Sequence, residues 1–185
     1  NVIINEGVTS IGDYAFYMLT NLKSISISKS VIHIGIYAFA HSNLETIILP
    51  EQIDNISDHL FYSCKNLYSV ELNENITTIS TYAFSECTNL TSINIPDNAE
   101  IIEPYAFSGS SLLTIDIPKE TTNISDHLFY LCKNLSSINF HDNVTTISSY
   151  AFSECTNLTT INIPDNVEII EPYAFSGSSL LTIDI

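Results

Sequence analysis

The sequence predicts a solenoid, a rod made of short coils that stack directly on one another. One phrase recurs along the whole chain, each complete copy is 22 or 23 residues long, and no copy holds enough apolar residues to bury a core alone. The copies begin at equivalent positions, which are Val8, Val31, Ile53, Ile76, Ala99, Thr121, Val144 and Val167. Because the copies run to the end of the chain, residues 1–185 are predicted to form a single domain.

Each copy contains three kinds of element. Residues 90–95 alternate apolar and polar side chains, which predicts a half-buried strand, and Pro96 and Asp97 then turn the chain. Residues 76–79 predict a second, shorter extended piece. Residues 82–90 place apolar side chains three apart, which predicts a single helical or 3₁₀ turn.

The core is predicted from one phenylalanine per coil. Stacking would join these rings into an internal spine, and burying each ring contributes about 2–3 kcal/mol. The members are Phe16, Phe39, Phe61, Phe84, Phe107, Phe129, Phe152 and Phe175. Residues 53–117 also match 121–185 at a shift of 68, with 52 of 65 positions identical, which indicates duplication of a three-coil block.

The repeated phrase has the consensus Y-A-F-x-x-C-x-x-L-x-x-I-x-I-P, stated most closely by residues 82–96. It resembles the BspA-like, or treponemal-type, leucine-rich repeat. The resemblance implies a right-handed leucine-rich-repeat solenoid, rich in β-structure, with a parallel sheet on its concave side and short helical or 3₁₀ turns on the other. It also implies a surface or secreted protein associated with adhesion, without catalytic residues. Leu19, Ser110 and Ser178 depart from the family cysteine.

Charge limits the partners. The chain carries 21 acidic and five basic side chains, a net charge of −16. Such a surface repels phosphate, which argues against nucleic acid and anionic lipid, and it attracts basic proteins. No apolar run approaches the roughly 18 residues of a membrane helix, so direct membrane insertion is not expected.

The candidate ligand-binding residues form two columns on the predicted concave sheet. Their hydroxyl, amide and carboxylate groups offer many hydrogen bonds and little bulk, which suits a shallow protein or glycan interface. The alternative is that serine and threonine merely fit an exposed strand position. The residues are Ser69, Glu71, Ser92, Asn94, Thr114, Asp116, Ser137, Asn139, Thr160 and Asn162.

A third column holds acids in the turn after each strand. A calcium site and a solvated acidic ridge are the two interpretations of this column, and the ridge is favoured because the sequence contains no D-x-D-x-D loop. His59 and His127 lie three coils, or roughly 15 Å, apart, which is too far for one metal ion. No metal or other cofactor is therefore expected. The acids are Glu51, Glu74, Asp97, Glu120, Asp142 and Asp165.

Two further columns have a structural interpretation. The four cysteines fall on neighbouring coils in pairs, so disulfides between coils are conceivable, but Leu19 at the same position favours buried free thiols. Asn89, Asn134 and Asn157 begin N-x-S/T sequons, yet equivalent asparagines lack the sequon. We therefore expect these amides to form a ladder that bonds to the loop backbone.

Recognition is the function that these observations favour. Near-identical coils give ridges and flat faces rather than the converging groups of an enzyme pocket, so no enzymatic activity is expected. The alternative is a structural spacer or a block that assembles end to end. Since the chain starts and stops in mid-strand, the sequence is expected to be part of a longer array.

Overall fold

The computed structural model describes residues 1–184, and its side chains through Thr182. Strands are short, and every paired strand is parallel to its partner, as stacked coils require. In chain order they are β1 (Val2–Ile4), β2 (Ser10–Ile11), β3 (Ile25–Ile27), β4 (His33–Ile34), β5 (Thr46–Ile48), β6 (Asn55–Ile56), β7 (Ser69–Glu71), β8 (Thr78–Ile79), β9 (Ile101–Ile102), β10 (Thr114–Asp116), β11 (Asn123–Ile124), β12 (Ser137–Asn139), β13 (Thr146–Ile147), β14 (Thr160–Asn162), β15 (Ile169–Ile170) and β16 (Thr182–Asp184).

The strands divide into two sets on different sides of each coil. Those of three residues lie on one side, which we call the strand face, and β1–β3, β5–β7, β10–β12 and β14–β16 pair there. Those of two residues form the second set, in which β2–β4, β6–β8–β9 and β11–β13–β15 pair. Partners such as Val2 and Ile25 lie one coil apart in sequence. The second extended piece expected in each coil is thereby confirmed.

Proline determines which neighbouring strands on the strand face are joined by backbone hydrogen bonds. The backbone N–H of Ser28 donates to the Ile4 carbonyl of the preceding coil at 3.1 Å. A proline at the equivalent position has no N–H to donate. The prolines are Pro50, Pro96, Pro118 and Pro164. In the described chain, the steps that end in these prolines show no ladder, and one isolated bridge joins Ser24 to Thr46.

The prediction of a strand over residues 90–95 is therefore wrong, because these residues lack the backbone hydrogen bonds of a ladder. Pro96 cannot donate to the coil before it, and Pro118 cannot donate to this coil from the one after. Residues 92–94 consequently form no strand, although Ile95 remains buried and Ser92 and Asn94 remain exposed as alternation predicts.

The helical or 3₁₀ turn predicted over residues 82–90 is also wrong. Tyr82 and Glu86 have φ values of 57° and 58°, and these left-handed residues interrupt any helix. Alternate amides point along the solenoid, as when the Phe84 N–H donates to the Ala106 carbonyl of the next coil at 2.8 Å. The amides between them close tight turns within the coil, and these turns produce the three-residue apolar spacing.

The phenylalanine spine is confirmed. Six of its rings are completely buried, and those of the first and last coils, Phe16 and Phe175, are half-buried. Neighbouring rings lie nearly parallel with centroids 5.3–5.9 Å apart. One continuous core therefore runs through the rod, and each coil depends on the coils beside it.

Candidate functional site

The strand face presents its polar side chains outward, because a strand alternates its sides. In β10, Ile115 points into the core while Thr114 and Asp116 are exposed. Nine of the ten candidate residues named from the sequence are exposed, and Ser69 is half-buried. They form two columns in which Thr114 pairs with Ser137 and Asp116 pairs with Asn139 in successive strands.

Most of these groups are free to bind a ligand. The Asn139 amide donates a hydrogen bond to the Asp116 carboxylate at 2.5 Å. Among the side chains that the structure describes, those through Thr182, the other eight candidates form no hydrogen bond. A ligand that reaches this face therefore competes with water for these donors and acceptors, and not with the protein's own interactions.

A hollow of about 620 Å³ opens in the strand face at β3 and β5, outside the ten candidates. It is lined by residues 24–27 and 46–51 together with Lys29 and Asn1. This step between coils is the one that Pro50 leaves without a ladder. The signal in the sequence is the change in side-chain size from Ser26 to Ile48, in a column that is polar from Glu71 onwards.

The acids predicted as a ridge are all exposed along the turn edge. Asp97 pairs with Lys119, and this contact lowers the pKa of the Asp97 carboxyl. Among the residues that the structure describes, no group of three or more histidine, cysteine or acidic side chains is arranged to hold a metal ion. The ridge therefore presents dispersed, solvated charge.

An asparagine ladder exists, but at a different position from the one predicted. Asn89, Asn134 and Asn157 are exposed, and in the described chain their side chains form no hydrogen bond. At that position only Asn43 does so, donating to the Thr20 carbonyl. The ladder runs instead through the acidic turns, where each amide donates to a carbonyl one coil earlier at 2.7–2.9 Å. Its members are Asn75, Asn98, Asn143 and Asn166.

The cysteines are buried free thiols, as favoured from the sequence. Each donates to a phenylalanine carbonyl of the preceding coil, as Cys64 does to Phe39 at 3.0 Å. Burial raises the pKa of Cys64 and Cys132 to about 11, so neither is a nucleophile at neutral pH.

A second aromatic column was not predicted. Seven successive contacts stack its rings with centroids 4.3–5.0 Å apart. Its members are Tyr14, Tyr37, His59, Tyr82, Tyr105, His127, Tyr150 and Tyr173. Burial lowers the pKa of His59 and of His127, and their buried Nδ1 atoms have no hydrogen-bond partner. The signal was the tyrosine of the consensus, which recurs in six of eight coils.

The cysteines and histidines whose pKa values are shifted lie in different parts of each coil. The cysteines lie inside the core, and the histidines lie within the aromatic column. In the part of the chain that the structure describes, no cysteine and no histidine lines the hollow in the strand face. In residues 1–184, the structure contains no helix that is long and apolar enough to cross a bilayer.

Comparison with known sequences decides the family. The BspA-type leucine-rich repeat region matches residues 1–112 and 77–185, in six copies. The chain belongs to the BspA-type leucine-rich repeat family. A comparison with curated proteins finds no match.

Solved leucine-rich repeat structures share the fold of this BspA-type chain. A protein from T. pallidum is 23% identical with a TM-score of 0.68, and the match covers 90% of this chain and 69% of that one. A protein from Bacteroides ovatus is 22% identical with a TM-score of 0.58, covering 94% and 69%. The pneumococcal vaccine antigen PcpA is 18% identical with a TM-score of 0.60, covering 98% and 60%. At these identities the likeness shows the fold alone.

Proposed function

We propose that this BspA-type solenoid is a non-enzymatic recognition module that binds a protein or a glycan through its strand face. The observation that carries the proposal is the pair of polar columns, which stay exposed over successive coils and keep almost all their hydrogen-bonding groups free. The surface or secreted location, and a role in adhesion, are what the family resemblance implies.

The face suits a partner that makes many weak contacts. Hydroxyl and amide groups both donate and accept hydrogen bonds, and parallel coils repeat them about every 4.8 Å. Each contact is worth little after desolvation, so affinity comes from the number of coils engaged. Glu71 and Asp116 on the face, together with the acidic ridge, would steer a basic partner and make its association rate depend on salt.

The experiment is a pair of arrays, one of glycans and one of extracellular-matrix and cell-surface proteins, probed with the purified chain and with two variants. The face variant introduces four lysines and raises the net charge by six. The control variant introduces three lysines on the turns around the aromatic column and raises the charge equally. The substitutions are Glu71→Lys, Asn94→Lys, Asp116→Lys and Asn139→Lys in the first, and Asp58→Lys, Glu86→Lys and Asp126→Lys in the second.

We expect the face variant to lose at least ten-fold in affinity for any array ligand, and the control variant to lose less than two-fold, because all seven positions are exposed and both proteins should fold. Circular dichroism checks the fold. Equal losses in both variants would mean that net charge alone controls binding. Unchanged affinity of the face variant at several salt concentrations would remove the face from the proposal.

A further inference from the structure

The hollow at β3 and β5 differs in shape and chemistry from the rest of the strand face. In β3, Ser26 lies between Ile3 of the preceding coil and, by the register of the Ser24–Thr46 bridge, Ile48 of the following coil. Both isoleucines are largely exposed, at 65% and 63%. Of these two isoleucines Ile48 lines the hollow, so the small Ser26 beside it leaves a gap with one exposed aliphatic wall.

The floor of the hollow offers hydrogen bonds. In the described residues, the hydroxyls of Ser24, Ser26 and Thr46 make no side-chain hydrogen bond. Pro50 also has no N–H to give the Ile27 carbonyl, the acceptor that would continue the ladder from the coil before. The Ile27 carbonyl oxygen therefore receives no hydrogen bond from position 50, and an N–H group of a ligand can donate to it instead.

Charge distinguishes this end of the solenoid. Residues 1–50 contain three carboxylates and two lysines, a net charge of −1 out of −16 for the chain. Two exposed charged side chains line the hollow, Lys29 and, at its far side in sequence, Glu51. The lining therefore carries one charged side chain of each sign, and a carboxylate placed beside Lys29 meets less repulsion than it would on the acidic coils further along.

We propose that this hollow is the docking site for a short peptide segment of a protein partner, with an aliphatic side chain over Ser26 against Ile48 and a carboxylate beside Lys29. The proposal rests on the strand face being a recognition surface and names one class of partner for its first coils. Backbone N–H groups of the segment would reach the Ile27 carbonyl, and the aliphatic side chain would supply the apolar anchor.

The test uses a phage-displayed library of heptapeptides, selected on the whole chain. Enriched peptides are synthesised, and their affinities are measured by fluorescence polarisation for the wild type and three variants. Ser26→Trp fills the hollow, Asn94→Trp places the same ring three coils away on the same face, and Lys29→Glu reverses the charge at the rim. All three positions are exposed, and circular dichroism verifies folding.

We expect enrichment of peptides that combine an aliphatic residue with an acidic one. Their affinity should fall at least ten-fold with Ser26→Trp and with Lys29→Glu, and less than two-fold with Asn94→Trp. Peptides that lose affinity only with Asn94→Trp would overturn the hollow while leaving the strand face as the recognition surface. Absence of any such enrichment would also overturn it, whereas failure of the proposed function would appear separately, on the arrays.

Discussion

The stacked phenylalanine spine makes a specific prediction about stability. Phe84 is completely buried and lies between Phe61 and Phe107, with ring centroids 5.3 and 5.4 Å away. Replacing it with alanine removes the apolar area of the ring and leaves a cavity that both neighbouring coils border. Substitutions of this kind cost about 3–5 kcal/mol, so we expect Phe84→Ala to lower the free energy of unfolding by that amount.

The first coil supplies the matched control. Phe16 holds the same repeat position but is half-buried, and the described chain gives it one stacked ring, that of Phe39, at 5.4 Å. Phe16→Ala should therefore cost less than half as much as Phe84→Ala. Both substitutions remove the same atoms, so the difference between them measures the burial that stacking supplies.

Urea denaturation followed by circular dichroism measures both values, at equal protein concentration and with the slope compared against the wild type. A cost below about 1 kcal/mol for Phe84→Ala, or equal costs at the two positions, would refute the reasoning, because a ring between two coils must be worth more than a ring at the end of the stack.

Three other predictions test separate parts of the structure. Burial lowers the pKa of His59 and His127 from the ordinary value of 6.5, so their contribution to stability should be complete above pH 6.5 and should decrease as the pH falls towards the folded-state pKa values. Denaturation midpoints measured from pH 7.5 to 5 test this. The variant in which both histidines are changed to tyrosine, the consensus residue, should lose this pH dependence. Cys87 is fully buried and its pKa lies well above the ordinary value, so iodoacetamide should label it in urea and not in the native protein, as mass spectrometry will show. Pro96→Ser restores an N–H that can donate to the coil before it, and hydrogen exchange should then show a protected amide at position 96; an amide there that exchanges as fast as an exposed loop amide would contradict the role given to this proline.

The architecture is predictable because a position that stays apolar in every repeat indicates a contact between neighbouring coils. A position that is apolar in every copy, such as the one held by Phe84, is apolar because the next copy covers it. The alternation in residues 114–116 likewise predicts which side chains face outward, and the structure agrees. Neither inference requires knowledge of the backbone path, and for this reason both agree with the structure.

The backbone path itself is where prediction from the sequence fails. Spacing of three residues between apolar positions fits a helical turn and also fits successive tight turns, and only the left-handed φ of Tyr82 and Glu86 distinguishes them. Pro96 was interpreted as a turn signal, but its effect on the ladder depends on which direction its missing N–H would have pointed. The sequence also shows that asparagines recur in two columns without showing which column meets a carbonyl.

The candidate site is predictable to the same extent. The outward columns follow from alternation, so the exposure of Asn94 and Asp116 was foreseen. The hollow was not, because it depends on three features that act together: a small Ser26, a large Ile48 and a ladder interrupted at Pro50. Each feature is visible in the sequence, but their proximity comes from the register between coils.

Photo-cross-linking tests the central claim most directly. A benzoylphenylalanine placed at Asn94 lies on the strand face, and the same group placed at Glu86 lies beside the aromatic column; both positions are exposed. With a partner found on the arrays, we expect cross-links from position 94 and none above background from position 86. Cross-links from position 86 alone, or equally from both, would contradict recognition through the strand face.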